Sequence, residues 1–373
     1  MKKRFISLVA AAALVGGIGA VSVPSTASAG TMAVGGDTTA NFYGFIRYEA
    51  GWSKDMTSIY ATTPTANTVK THIESNATIT RFGFVLKNKD ANLCGRIETD
   101  FRGGGHLRLR RAYVQHTFGD YYIKIGQEWG IEMAPTYSQA WVAVAGFGGN
   151  ARMPEIVLGG KMDLGGANLD VALAFEDTSH AGYVADGLKR MLIPSPAARV
   201  KLGINTGFGN PASVYGFALV MPVKIDLGTG EKSKTPYVFG AGFELPVSMF
   251  ALHANYLYGK GASHYANAGN APASYWLSAD GSVKASKFYA WNIEGKVAPM
   301  PCVAVAGGYD YVKFKDICDS DCKIKDESVF ANVQIKTTDY TKLVVEWDHV
   351  KAKYTGGESD TGNRFWFNYT YYF

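Results

Sequence analysis

Hydrophobic and polar side chains alternate over the segment 365–373. Successive side chains of a β-strand point to opposite faces, so this segment presents one aromatic row and one mixed, more polar row. The aromatic row consists of Phe365, Phe367, Tyr369, Tyr371 and Phe373. The pattern is typical of a strand with lipid on one side and water on the other. An edge strand of a soluble β-sandwich is the alternative.

Similar alternation recurs along the chain and predicts about sixteen strands. We place them at residues 41–52, 78–87, 93–101, 107–118, from 121 onward, 155–162, 168–175, 198–205, 214–223, 236–245, 249–258, 286–296, 302–314, 327–336, 341–353 and 363–373. Short and long connections alternate between them, as in barrels with short periplasmic turns and long outer loops. We therefore predict an all-β fold, a closed antiparallel transmembrane β-barrel in which the last strand pairs with 41–52.

The alternation is interrupted in the fourth strand. Leu107 and Leu109 share a face with Arg111, whereas Val114 continues the apolar row on the opposite face. A β-bulge near Arg110 and Arg111 would reconcile the two halves, because a bulge inserts one extra residue into a strand.

Residues 1–29 have the three parts of a secretory signal peptide. Residues 2–4 are basic, residues 5–23 are apolar or small and uncharged, and Ala-Ser-Ala at 27–29 is a small-residue cleavage site. An uncleaved membrane helix is disfavoured by that site. No later stretch approaches the roughly 18 apolar residues of a spanning helix. We therefore expect one barrel domain over 30–373, located in the bacterial outer membrane.

The net charge of +5 falls to 5 − 3 = +2 once the basic residues 2–4 are removed with the signal. Such a small excess is not the signature of a nucleic-acid-binding protein, so we predict no nucleic-acid partner. No sequence motif for a cofactor or a catalytic centre is present, and we predict that the protein is not an enzyme.

Four cysteines are present, and two of them are close in sequence. Cys318 and Cys322 flank a short polar loop, where a disulfide suits an oxidising compartment. A metal site is the alternative because acidic residues intervene, but no histidine is nearby and we predict no metal. Cys94 and Cys302 lie near the starts of strands and could bond only if those strands are neighbours.

A basic cluster lies on four consecutive predicted strands. It comprises Arg81, Arg96, Arg102, Arg108, Arg110, Arg111 and Lys124. Neighbouring strands lie under about 5 Å apart, so these side chains can form one basic wall that attracts anions inside a water-filled tube. Two alternatives remain: pairing with acidic residues leaves the wall electrically quiet, or some arginines bind lipopolysaccharide phosphates above the lipid band.

The loop 128–152 is the longest non-alternating stretch in the first half of the chain. If it folds inward, it narrows the pore and sets acidic groups against the arginines; if it folds outward, it is a surface loop. The predicted acidic side of the pore comprises Glu98, Asp100, Glu128, Glu132 and Glu155.

Several segments resemble, in order, the early strands of Gram-negative trimeric outer-membrane porins, most closely the DcaP-like porins. They are 41–47 (NFYGFIR), 80–84 (TRFGF), 95–101 (GRIETDF), 109–114 (LRRAYV) and 123–129 (IKIGQEW). The resemblance implies a sixteen-stranded homotrimer whose third extracellular loop, after Trp129, folds into the lumen. It also implies that the narrowest part of the pore is lined by Arg81, Arg96, Arg110 or Arg111, and Lys124. Phe373 resembles the terminal residue that the barrel-assembly machinery reads.

We therefore expect a passive diffusion channel for small hydrophilic solutes and ions, favouring anions such as small carboxylates. Its expected partners are further copies of itself, outer-membrane lipid and lipopolysaccharide. A structural or adhesive barrel with a plugged lumen is the alternative. The loop 128–152 lacks the acidic run that many general porins carry.

Overall fold

A computed structural model of the chain describes residues 31–56, 64, 71–103, 106–132, 136–138, 151–184, 187–207, 210–266 and 270–373. The predicted signal peptide, residues 1–29, lies outside the described residues, as do 133–135 and 139–150 of the long loop. Among the described residues, no helix is long and apolar enough to cross a membrane.

The described chain consists almost entirely of strands. They are β1 Thr31–Gly35, β2 Thr38–Lys54, β3 His72–Asn76, β4 Arg81–Asn88, β5 Leu93–Gly103, β6 His106–Phe118, β7 Tyr121–Trp129, β8 Arg152–Asp163, β9 Ala167–Glu176, β10 Leu188–Met191, β11 Ser195–Ile204, β12 Ala212–Val220, β13 Val223–Ile225, β14 Lys232–Lys234, β15 Tyr237–Val247, β16 Phe250–Lys260, β17 Tyr275–Leu277, β18 Val283–Ala285, β19 Lys287–Met300, β20 Val303–Lys315, β21 Ile324–Lys336, β22 Thr341–Tyr354 and β23 Ser359–Tyr372.

Sixteen of these strands form one closed barrel. Strands β2, β4–β9, β11, β12, β15, β16 and β19–β23 pair antiparallel in chain order, and β23 pairs with β2 to close the ring. Each strand predicted from alternation coincides with one of them, so the predicted barrel and its strand number are confirmed.

The long loops contain structure that the sequence did not predict. Strands β10, β13 and β14 form a small sheet, β17 and β18 form a hairpin, and β3 pairs with β2. Outside the long loops, β1 pairs with the first residues of β2. One helical turn spans Thr178–Ala181, and a 3-10 turn spans Ser263–Ala266. The loop regions therefore cover part of the barrel end with ordered elements.

The closing strand has the predicted faces. Phe365, Phe367, Tyr369 and Tyr371 are 37–51% exposed on the outer surface, whereas Trp366 on the inner face is 2% exposed. The seam continues to the end of the strand, where Phe373 N–H donates to Gly44 O at 3.2 Å. A Cβ on Gly44 would lie 2.4 Å from Arg81 O and 2.7 Å from Phe373 Cζ, so glycine is required there.

The predicted bulge lies in β6. Glu98 pairs with Arg111 and Thr99 with Leu109, which leaves Arg110 as the extra residue. Because of this insertion, two consecutive arginines both point into the lumen, while Leu109 and Val114 stay on the outer face.

The inner face of the barrel is not polar throughout, contrary to expectation. Near the loop ends of β8–β20, inward side chains form an apolar core with residues of the loops. Members of this core include Ala174, Leu219, Leu257, Phe288, Val312 and Phe314 from the wall, and Tyr183, Val223 and Tyr265 from the loops. Burial of these apolar groups favours docking of the loops on one side of the lumen. The charged lumen lies on the other side, along β2–β7.

Candidate pore constriction

The seven basic residues predicted to form a wall do come together. Arg81 on β4, Arg96 and Arg102 on β5, the three arginines of β6, and Lys124 on β7 all make ion pairs on the inner face. Strand alternation selects the inward positions, and the β6 bulge adds Arg110 and Arg111 together. Arg47 on β2 joins the wall, where its Nη1 lies 3.9 Å from Glu49.

Two carboxylates organise the centre of this wall. Glu98 accepts hydrogen bonds from Arg110 Nε at 2.8 Å and Arg96 Nη2 at 3.3 Å. Asp100 accepts two hydrogen bonds from Arg108, at 2.9 and 2.7 Å, and one from Arg110 Nη1 at 2.6 Å. Arg110 is thus clamped between two acidic groups with a side chain only 2% exposed, so its role is to hold the wall together.

Other arginines in the wall remain accessible to a solute. The side chains of Arg96 and Arg102 are each 23% exposed, and that of Arg108 is 39% exposed. The Arg96 guanidinium lies 4.8 Å from the centre of the Tyr43 ring, and its Nε donates to Tyr43 Oη at 2.6 Å. These contacts fix the position of Arg96 while leaving part of it open to the lumen.

The wall contains more positive than negative groups. The positive members are Arg47, Arg81, Arg96, Arg102, Arg108, Arg110, Arg111 and Lys124, and the carboxylates paired with them are Glu49, Glu98, Asp100, Glu128 and Glu155. The difference within these pairs is 8 − 5 = +3. Counted over the described residues, the wall is therefore heavily paired but has an excess of positive charge.

The acidic side of the pore is not where the sequence predicted it. Glu98, Asp100, Glu128 and Glu155 lie within the basic wall, each bound to one or more of its cations. Their strands are the arginine strands or neighbours of them. Inward side chains on neighbouring strands are close enough to pair, whereas the opposite wall of the lumen is too distant.

Glu132 is also not part of an acidic side. It is 1% exposed and lies beneath the start of the long loop, where Tyr183 Oη donates to its Oε1 at 3.5 Å. Burial raises the pKa of the Glu132 carboxyl above its ordinary value, because the charged form is poorly solvated there. This residue anchors the loop base.

The long loop crosses the lumen, as predicted. Thr136 Oγ1 donates to Glu294 Oε1 at 2.9 Å, and Tyr137 N–H donates to Glu294 Oε2 at 2.5 Å. Ser138 Oγ donates to Glu346 Oε1 at 2.7 Å. Glu294 belongs to β19, which lies eight places from β6 in both directions around the sixteen-strand ring. The loop therefore spans from the end of β7 to the opposite wall.

Strands β19–β22 carry buried acidic groups that were not predicted from the sequence. They are Glu294, Asp310, Asp326, Glu346 and Asp348, each no more than 1% exposed. Asp348 is paired with Arg364 at 2.9 Å, and Asn332 Nδ2 donates to Glu346 at 2.8 Å. Their inward parity on predicted strands was the available signal. These acidic groups thus extend from β19, opposite β6, to β22, which is separated from β2 by β23 alone.

The four cysteines have different states. Cys318 and Cys322 form a disulfide with their Cα atoms 5.4 Å apart, while Cys94 and Cys302 are free. Across the described residues, no group of three or more potential metal ligands is present.

A closed sixteen-stranded barrel with an apolar outer face, a charged lumen and an inserted loop is the architecture of bacterial outer-membrane porins. No family model and no curated protein sequence matches the chain. Solved structures do match. The outer-membrane channel DcaP of Acinetobacter baumannii superposes with a TM-score of 0.73 at 21% identity, covering 90% of this chain and 97% of that one.

Two further structures have the same architecture. OmpT of Vibrio cholerae in its trimer form has a TM-score of 0.58 at 14% identity, covering 91% of this chain and 100% of its own. The anion-selective porin from Comamonas acidovorans has a TM-score of 0.58 at 11% identity, covering 90% and 100%. These likenesses confirm the predicted porin-like barrel of the outer membrane, at the level of the fold.

Proposed function

We propose that the protein is a passive diffusion channel for small hydrophilic solutes and ions, that it favours anions such as small carboxylates, and that it catalyses no covalent chemistry. The observation that carries the proposal is the basic wall, with its excess of positive charge and its partly open arginines, facing a loop fixed across the lumen. The low-dielectric barrel around such a wall focuses its field and raises the local anion concentration.

The exposed arginines give the preference a chemical basis. A guanidinium presents a planar fork of donors that matches the two oxygens of a carboxylate. Arg96 and Arg102 each retain exposed surface while their carboxylate partners, Glu98 and Glu49, also contact other arginines. A passing anion can therefore exchange with these contacts without leaving a buried carboxylate unpaired.

The structural neighbours support the same function. The Acinetobacter structure is described as an outer-membrane channel, the Comamonas structure as an anion-selective porin, and the Vibrio structure as a trimer form. We propose that this chain also forms a homotrimer in contact with outer-membrane lipid. We further propose that Phe373, at the closing seam, is read by the barrel-assembly machinery.

Replacement of Arg96 and Arg102 by Gln tests the anion preference. Glu98 and Glu49 each keep another arginine as a partner, so the double variant should fold. Its reversal potential in a salt gradient should shift toward cation selectivity, because two positive charges are lost from the lumen. Lys224→Gln with Lys232→Gln is the matched control, since it removes the same charge from the small extracellular sheet. An equal reversal potential in the natural protein, the arginine double variant and the lysine control would contradict the proposal.

One observation favours a second candidate, a structural or adhesive barrel with a closed lumen. The apolar core at the loop ends of β8–β20 fills one side of the mouth. Single-channel recording separates the two functions: a diffusion channel gives conductance steps, in threes for a trimer, and a plugged barrel gives none. Liposome swelling with dicarboxylates, sugars and phosphates then identifies the preferred class of solute.

A further inference from the structure

One sector of the outer barrel surface is strongly basic near the loop end. On strands β16 and β19–β22, the outward positions nearest the loops carry seven lysines: Lys260, Lys287, Lys313, Lys315, Lys325, Lys351 and Lys353. Their sequence neighbours Phe288, Val312, Phe314 and Ala352 are fully buried on the inside. Strand alternation therefore directs the lysines away from the lumen.

The lysines stand directly opposite one another on adjacent strands. Lys313 pairs with Lys325, which pairs with Lys353. Lys287 likewise pairs with both Lys260 and Lys315. Opposed side chains on neighbouring strands have Cβ atoms about 4.5–5.5 Å apart, and like charges in such pairs destabilise the sheet. This arrangement is unfavourable unless an anion lies between the charges.

The protein itself supplies few such anions. Lys353 Nζ lies 3.4 Å from Glu327, and Lys287 Nζ lies 2.7 Å from Asp316. Glu327 is the single carboxylate among the outward residues at the described loop ends of these strands. Within the described residues, no ion pair joins Lys313 or Lys325 to a carboxylate. The described carboxylates therefore leave much of the positive charge of this face unpaired.

An aromatic belt fixes the depth of the lysines. Directly below them on the same outer face lie Tyr289, Trp291, Tyr309, Tyr311 and Trp347, with the Trp291 ring 5.2 Å from that of Tyr309. Lys315 Nζ lies 5.0 Å from the centre of the Tyr289 ring. Aromatic girdles of barrels lie at the membrane–water interface. The lysines just beyond the belt thus reach the headgroup layer on the loop side of the membrane.

The basic face does not continue around the whole rim of the barrel. On strands β5, β6 and β9, the outward residues near the loop end are apolar, namely Phe101, Leu107, Leu109 and Phe175, with exposures of 41–56%. A general need for solubility at the rim would distribute the charge evenly. Its concentration on neighbouring strands indicates recognition of a particular ligand.

We propose that the lysine face binds the phosphate groups of a phosphorylated glycolipid in the outer leaflet. The inference rests on the proposed location in the outer membrane and adds a lipid site to it. Three in-line ammonium groups can share one or two phosphates, which removes their mutual repulsion, and the aromatic belt below suits the acyl chains. A second copy of this chain is the wrong partner for the face, because two such faces repel.

The test is titration of the refolded protein, in neutral detergent, with diphosphoryl lipid A and with the same lipid after removal of its phosphates. We expect binding of the phosphorylated lipid only. Lys313→Gln with Lys325→Gln and Lys353→Gln should weaken binding about tenfold or more, since each basic residue contributes separately to attraction of an anionic headgroup. Replacement of the same three lysines by Arg should preserve the affinity.

Lys189→Gln with Lys224→Gln and Lys232→Gln is the matched control, because it removes the same charge from the small extracellular sheet. Equal loss of affinity in this control, or equal binding of the lipid without phosphates, overturns the proposal. If the triple Gln variant fails to fold, Lys325→Gln alone must still weaken binding relative to Lys232→Gln. Conductance is measured separately in neutral lipid, so failure of lipid binding and failure of channel function are distinguished.

Discussion

Glu98 holds together more of the basic wall than any single arginine does. It is 3% exposed, and it contacts Arg81, Arg96, Arg110 and the Tyr43 hydroxyl, which donates to its Oε2 at 3.0 Å. Buried charges are costly unless they are paired, so three clustered guanidinium groups require a carboxylate among them. Glu98 therefore reduces the net positive charge of the wall by one. It also allows the neighbouring arginines to be buried close to one another.

We predict that Glu98→Gln has two effects of different kinds. The loss of one buried charge should lower the free energy of unfolding by about 3–5 kcal/mol, because three arginines lose a buried partner. The folded fraction of this variant should be more anion-selective, since the net charge of the wall increases by one. Urea unfolding and the reversal potential measure the two effects.

Glu231→Gln is the control for this prediction, because Glu231 lies on the extracellular side, where its ion pairs with Lys224 at 3.0 Å and Arg190 at 3.8 Å are at the surface. A shift of the Glu98→Gln reversal potential toward cations would show that the arginines of this wall do not govern selectivity.

At the scale of elements, the position of the long loop depends on β19 more than on the strands that carry it. Glu294 accepts hydrogen bonds from both Thr136 and Tyr137, and Asn292 Nδ2 donates to it at 2.8 Å. The His253 Nε2 atom lies 3.3 Å from the same carboxylate, and the His253 ring contacts Tyr137 at 4.4 Å between centroids. A buried carboxylate thus fixes Thr136 and Tyr137 of the loop on the far wall.

Glu294→Ala should release the loop segment at Thr136 and Tyr137 from the far wall. We expect a larger single-channel conductance and faster entry of larger sugars in liposome swelling, because the loop no longer has its two acceptors on the opposite wall. Glu294→Gln retains one carbonyl acceptor and should give an intermediate conductance. Equal conductance of the Ala variant and the natural protein would show that other contacts, such as Ser138 with Glu346, suffice to hold the loop.

Alternation predicts where the strands lie but not always which face is inward. Along β23 the apolar row faces out, as expected for a strand between lipid and water. At the loop ends of β19 and β20 the same alternation has the reverse sense: Phe288 and Phe314 are buried inside, while Lys287 and Lys313 face out. The alternation of the pattern was sufficient to predict the positions of the sixteen strands. The reversal depends on which loops pack inside the mouth, which is a long-range contact that no local pattern contains.

The candidate site was predictable to a similar extent. Inward parity and the bulge identified the arginines, including the unusual pair Arg110 and Arg111. The partner of each arginine was not predictable, because pairing depends on the register of neighbouring strands and on side-chain length. The same reason explains why Glu98 and Asp100 were expected on an opposite side, when they lie among the arginines.

At the scale of the whole molecule, the barrel is asymmetric across its mouth. One side is sealed by an apolar core between wall and loops, and the other retains the charged lumen. Phe288 is central to the sealed side, since its ring lies 6.4 Å from that of Tyr265 and 6.3 Å from that of Phe314. The sealed side confines solutes to the lumen beside the arginines.

Phe288→Ala should weaken this sealed side. The cavity left by the ring should lower the free energy of unfolding by about 3–5 kcal/mol, and the loop residues that pack on it should become more accessible to protease. Phe239→Ala is a suitable control, because Phe239 is 45% exposed on the outer surface. Equal protease sensitivity in the two variants would show that the loops are held by their own small sheets.

The seam between β2 and β23 has a consequence for the time course of folding. It joins residues more than three hundred positions apart, for example Arg47 Nε with Thr370 Oγ1 at a separation of 323. Contacts of such high sequence separation form slowly, since a long loop must close before they contribute. Until they form, β2 and β23 are two open edges, each able to pair with a foreign strand. Before insertion into the membrane, the chain therefore depends on chaperones that prevent both edge strands from aggregating with other chains.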